Sequence, residues 1–154
     1  MRTNVIGTTI SIIALLVASL PYLSDVVKHF TGPRAAITMP ADGSTQPSNF
    51  GATITAANIP HDHDLWLVIR SGIEGRWYPI RRIVPPASGV STIPRGVIRP
   101  AKGFQEIEVM MLSDSDEGQF IDYVNRREAT GIDPGLSTIP SVYSLEAVTR
   151  ITVR

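Results

Sequence analysis

Hydrophobic positions along this chain fall into two regimes. From Val5 to Leu23 there are 19 residues without a charge, dense in Ile, Leu, Val and Ala. As an α-helix rising 1.5 Å per residue this run covers roughly 28 Å, close to the hydrocarbon thickness of a bilayer. It has no polar stripe for water to wet, which argues against a core helix of a soluble fold. The pattern predicts a transmembrane signal-anchor over residues 1–24, with Arg2 ahead of it and Pro21 and Tyr22 where a helix leaves the hydrocarbon. A cleavable signal peptide is the rival reading, because Val17-Ala18-Ser19 offers the small residues a signal peptidase takes. The anchor is preferred: the uncharged run is longer than most h-regions, and a single Arg makes a thin n-region.

After a linker over residues 25–35 the pattern changes to short apolar runs separated by Pro, Gly, Asp and Asn, and residues 36–154 read as one β domain. Ala36–Met39 predicts a first strand, stopped by Pro40 and the turn Ala41-Asp42-Gly43-Ser44. Ala52–Ala57 predicts a second, with Thr53 and Thr55 facing away from Ile54 and Ala56. Leu65-Trp66-Leu67-Val68-Ile69 is apolar without a break, the signature of a central strand covered on both sides. Arg76–Val84 follows a Gly-containing turn and predicts the hairpin partner of that strand, with Pro79 confining it to an edge or a bulge. Pro85–Pro100 reads as a long connection holding one weak strand. In Phe104–Leu112, Ile107, Val109 and Met111 share one face and Glu106 and Glu108 the other. The final strand sets Tyr143, Leu145, Ala147, Ile151 and Val153 on a core face, opposite Ser144, Glu146, Arg150 and Thr152. Asp116–Thr130 breaks the β pattern and predicts a helix, with Asp116 as N-cap, Phe120, Ile121 and Val124 as its apolar stripe, and Gly131 at its end. Strands alternating regularly with helices are missing, so the expected class is mainly β, a β-sandwich with one short helical insert.

Composition narrows the chemistry. The chain has 154 residues, 14 basic and 14 acidic, and 43% of them are apolar, enough for one packed core. No cysteine is present, so disulfide frameworks, thiolate metal sites and cysteine nucleophiles are excluded. From Ala35 onward the chain holds 11 basic and 13 acidic residues, a net charge of −2 that gives no field for nucleic acid. No histidine follows His63, and there is no Gly-x-Ser-x-Gly, Gly-x-Gly-x-x-Gly or Walker sequence. An enzyme is not expected, and no cofactor.

Five clusters carry candidate chemistry. His61 and His63, alternating with Asp62 and Asp64, have the residue types for Zn²⁺ or Ni²⁺, but two ligands on one loop need others from elsewhere, and a solvated loop is the simpler reading. Asp114-Ser115-Asp116-Glu117-Gly118 begins like a calcium loop and then departs from it, with Gly118 at the fifth position and Asn125 at the twelfth. Glu106 and Glu108 share a strand face, whereas glycosidase carboxylates flank a sugar from opposite sides of a cleft; a solvated face is expected. Arg76, Arg81 and Arg82, with Arg70, surround Trp77 and Tyr78, and this cluster is the candidate partner-binding surface. Neighbouring strand residues point to opposite faces, so one of the two aromatics is expected in the core and the other on the surface. Within the span, Gly7, Ser11, Ala14 and Ala18 line one helical stripe where two helices would approach closely and form a homo-oligomer.

The stretches Met39-Pro40-Ala41-Asp42-Gly43, Gly51 to Pro60, Leu65-Trp66-Leu67-Val68-Ile69 and Trp77-Tyr78-Pro79 resemble, in order, the immunoglobulin-like domains that follow transmembrane segments in bacterial, especially actinobacterial, membrane proteins. The resemblance spans roughly residues 36–154, helical insert included. It implies an immunoglobulin-like β-sandwich with a core Trp on the Leu-Trp-Leu strand, and a non-catalytic, membrane-tethered module; it transfers no active site. The expectation is thus a single-pass membrane protein whose domain lies outside the cytoplasm and meets a protein or cell-envelope partner. Basic residues barely favour either orientation, Arg2 standing against Lys28 and Arg34. The alternative is a secreted carbohydrate-binding or hydrolytic domain using Trp77, Tyr78, Glu106 and Glu108.

Overall fold

The structure is a computed structural model that describes residues 32–83, 88–141 and 144–154. The expected span with Gly7, Ser11, Ala14 and Ala18, most of the linker, and Tyr143 lie outside the described residues. Among the described residues no helix is long and apolar enough to cross a membrane.

Eight strands and one helix follow in the order β1 (Arg34–Met39), β2 (Ser44–Gln46), β3 (Phe50–Ala57), β4 (His63–Ser71), β5 (Trp77–Ile83), β6 (Ser88–Ile98), β7 (Gly103–Ser113), α1 (Gly118–Thr130) and β8 (Ser144–Val153). They form two sheets, β1-β3-β6 and β2-β8-β7-β4-β5. The fold is therefore mainly β, with a single helix among the described residues. All pairings are antiparallel except β2 with β8.

Period-two alternation builds the core between the sheets. Phe50, Ala52, Ile54 and Ala56 of β3 are buried while the intervening residues are half exposed, and they meet Leu65, Leu67 and Ile69 of β4 and Ile107, Val109 and Met111 of β7. The unbroken apolar run in β4 has the predicted cause. Its even residues, Trp66 and Val68, face away from that core and join Met110, Leu112 and Phe120 in a second cluster beneath α1. The strand is thus apolar on both faces because it is covered on both. Trp66, expected as a core residue, is buried in this second cluster, at 3% exposure, its ring edge-on to Phe120 with centroids 5.4 Å apart.

Strand β5 lies at the edge of the five-stranded sheet, and its register with β4 shifts between Arg81 and Pro79. Pro79 therefore sits at an edge and at a bulge, where its missing N–H costs no ladder bond. The freed carbonyls are not left to solvent: the Arg127 guanidinium donates to the Pro79 and Ile80 oxygens at 2.9 and 3.0 Å. At the other end of β5, Trp77 and Leu136 exchange both backbone hydrogen bonds. The helix and its following loop thus cover the exposed edge of β5.

Four sequence expectations are corrected. Pro85–Pro100, read as a long connection holding one weak strand, holds instead the eleven-residue strand β6, paired with β3 from Ser88 to Ile98. Pro94 and Gly96 hid it, and both fall where the register with β3 is broken, on an edge strand that tolerates them. Asp116 does not cap α1; the N-cap is Glu117, without a side-chain cap bond, while Asp116 accepts a hydrogen bond from the Ser113 hydroxyl. Ile121 is exposed and Tyr123 is buried in its place. Leu145, assigned to the core face, is 48% exposed, because the register of β8 on β7 shifts between Ala147 and Leu145 and turns that side chain to the other face. Gly131 ends the helix as expected, at φ 69°, its N–H bonded to the Arg127 carbonyl.

Candidate functional site

The outer face of the five-stranded sheet is divided in two. One half is roofed by α1 over Trp66, Met110 and Leu112. The other half carries a row of side chains that register brings together: Trp77 of β5 is opposite Arg70 of β4, Arg70 is opposite Glu106 of β7, and Glu106 is opposite Arg150 of β8. The Arg70 guanidinium lies over the Trp77 ring, 5.2 Å from its centroid. Arg70 donates to Glu106 at 3.2 Å, and Arg150 donates to the other oxygen of the same carboxylate at 3.1 Å. The Arg150 backbone N–H is fixed in turn by Asp42, in the turn before β2. One carboxylate between two guanidinium groups leaves the row with surplus positive charge and several unfilled N–H donors. Phe104, 45% exposed, borders the row, its ring lying over Gly72, where a Cβ would come within 2.3 Å of it.

Glu108 corrects the expected solvated carboxylate pair. It is 5% exposed, facing Val68 and Val148 across the sheet. Burial first, and the Glu106 charge second, push its carboxyl above the usual range, against the opposing pull of Arg70 and Trp77.

The five residues of the expected partner surface do not gather on one face. Trp77 packs with the outer cluster and Tyr78 with the core between the sheets, so the alternation of neighbours operates as expected. Burial and the bond to Glu74 push the Tyr78 hydroxyl up to about 12. The Arg76 guanidinium holds the Pro134 carbonyl at 2.7 Å. Arg82 pairs with Asp64 and lies 3.6 Å from Glu117. Arg81 is exposed on the other side, beside Ser91, Thr92 and Ile93 of β6. Arg70 and Glu106 belong to two different sequence clusters and Arg150 to neither; strand register is the signal that unites them with Trp77.

His61 is exposed, and His63 Nδ1 is 2.8 Å from Asp62. The two loops singled out for metal chemistry do meet: the Asp114 N–H donates to the Asp62 carbonyl, and Asp64, Asp114 and Glu117 bring carboxylate oxygens within 4.8 Å of one another. Neither histidine belongs to that group. Arg82 already supplies its cation, and Glu117 also accepts the Trp66 indole N–H at 2.9 Å, so the cluster is satisfied by protein groups.

No protein-family model matches the chain, and no curated protein does.

Proposed function

We propose that this protein is a membrane-tethered, non-catalytic interaction module, an immunoglobulin-like sandwich that presents the open half of its outer face to a protein of the cell envelope. The strand order supports the immunoglobulin-like reading. The sheet β1-β3-β6 corresponds to strands A, B and E of that fold, and β8-β7-β4 to G, F and C, with β5 added beyond C. The Trp on the C-equivalent strand is a departure, since it turns outward beneath α1. The 19 uncharged residues from Val5 to Leu23 support the tether.

The observation that carries the binding role is the cross-strand row Trp77–Arg70–Glu106–Arg150. A rigid aromatic with guanidinium groups held on four paired strands is the composition of an interface hot spot, and its excess of N–H donors suits a partner that presents carboxylates. The catalytic alternative is weaker, because Glu106 is committed to two arginines and Glu108 is buried.

Photo-crosslinking in native membranes tests this with the full chain. A crosslinker in place of Phe104 is expected to yield a discrete adduct, one in place of Val90 on the other sheet is not, and Arg70→Glu with Arg150→Glu abolishes the first. Adducts of equal yield at both positions, or none at Phe104, overturn the proposal. Recovery of the chain from the soluble fraction with Met1 intact overturns the tether.

A further inference from the structure

Where β6 hands over to β7, a cavity of about 230 Å³ opens between the five-stranded sheet and the chain leaving β6. Ile69 and Ile80, both buried, form its apolar floor. Tyr78, Gln105, Arg99 and Asp133 supply its polar lining. The walls are set in place by the protein's own bonds. Gln105 is fully buried and donates from Nε2 to the Ala101 carbonyl at 3.0 Å. Arg99 Nε donates to the Gly96 carbonyl at 2.8 Å. Asp133 accepts from the Tyr123 hydroxyl, which also receives the Gly135 N–H at 3.3 Å.

The two charges of the lining, Arg99 and Asp133, are both solvent-exposed. Neither Arg99 nor Asp133 forms an ion pair with any described residue. Among the described residues, the Arg99 guanidinium makes one hydrogen bond, from Nε. Desolvation pushes the Asp133 carboxyl above the usual range. A guanidinium and a carboxyl that line one cavity, each with hydrogen-bonding capacity to spare, can receive a molecule that carries both charges.

We propose that this cavity binds a small zwitterion with a short aliphatic body, an amino acid in size, its carboxylate on Arg99, its ammonium group on Asp133 and its body on Ile69 and Ile80. The volume falls below the ~300–1,000 Å³ of drug-sized pockets, which limits the ligand to a few carbons between its charges. The proposal does not depend on the outer face, which shares no residue with the cavity.

Isothermal titration of the purified full chain with leucine, γ-aminobutyrate and ε-aminocaproate, against butylamine and butyrate as single-charge controls, tests it. At least one zwitterion is expected to bind about tenfold more tightly than either control. Arg99→Gln and Asp133→Asn are each expected to weaken that binding about tenfold. Asparagine keeps an acceptor for Tyr123, and Arg99 is exposed, so the second variant carries the test if the first does not fold. Binding of no zwitterion, equal binding of the controls, or unchanged affinity in Arg99→Gln overturns the proposal.

Discussion

The Arg70 guanidinium lies 5.2 Å from the centre of the Trp77 ring, on neighbouring strands joined by a five-residue turn. The stacking orients Arg70 so that its NH1 reaches Glu106, and thereby sets the first two members of the row. A double-mutant cycle of Arg70→Ala and Trp77→Phe, followed by urea denaturation, is expected to return a coupling of about 0.5–1 kcal/mol, since Arg70 is partly exposed. Strict additivity would mean that the two side chains hold their positions independently.

Glu108 makes stability depend on pH in a defined direction. Its carboxyl titrates above the ordinary 4.5 in the folded protein, so the folded state favours the proton. Its contribution is fully present below the unfolded pKa and is lost as pH rises through the folded one. Glu108→Gln, which keeps the neutral shape, is therefore expected to melt at a higher temperature than the parent near neutral pH. The two should converge at about pH 4. A difference that does not vary with pH would contradict the assignment.

Gly135 is required on two counts. Its φ of 68° is one that L side chains rarely adopt, and a Cβ would stand 2.7 Å from the Tyr78 ring. The loop it belongs to seals the edge of β5 through the Trp77–Leu136 bridge. Gly135→Ala is expected to cost about 1–3 kcal/mol and to raise hydrogen exchange at the Trp77 amide. Wild-type protection at that amide would show that the loop accommodates the methyl group.

Arg82 is the cation paired with the Asp64, Asp114 and Glu117 group, through Asp64 and Glu117. Its removal leaves three carboxylates facing one another with no cation, a situation that a hard divalent ion relieves. Arg82→Ala is expected to be destabilised and then restored by millimolar Ca²⁺, whereas the parent's melting temperature does not respond. Equal responses of both proteins would mean that the guanidinium is not what balances the cluster.

Much of the architecture was legible because it depends on near neighbours. The alternation in β3, the two-sided apolar run of β4, the Pro79 break and the αL glycine after α1 each express a conformational or burial preference that acts within a few residues. Strand β6 was legible only as one weak strand, since Pro94 and Gly96 argue locally against its length and only the broken register on β3 makes room for them. Glu108 misled for the opposite reason. Alternation assigned it correctly to the face opposite Val109, but whether that face meets water depends on what covers it.

The residues in order determined a β-rich body after an uncharged run of 19, the places where most strands start and stop, and the positions able to face a core. Tertiary structure alone decided which charges meet. Glu106 finds Arg70 and Arg150 at separations of 36 and 44 residues, and Trp66 finds Glu117 at 51. A strand's own pattern specifies two faces, but register against a distant strand selects the partners on each, and that choice is made by the packing of the whole sheet.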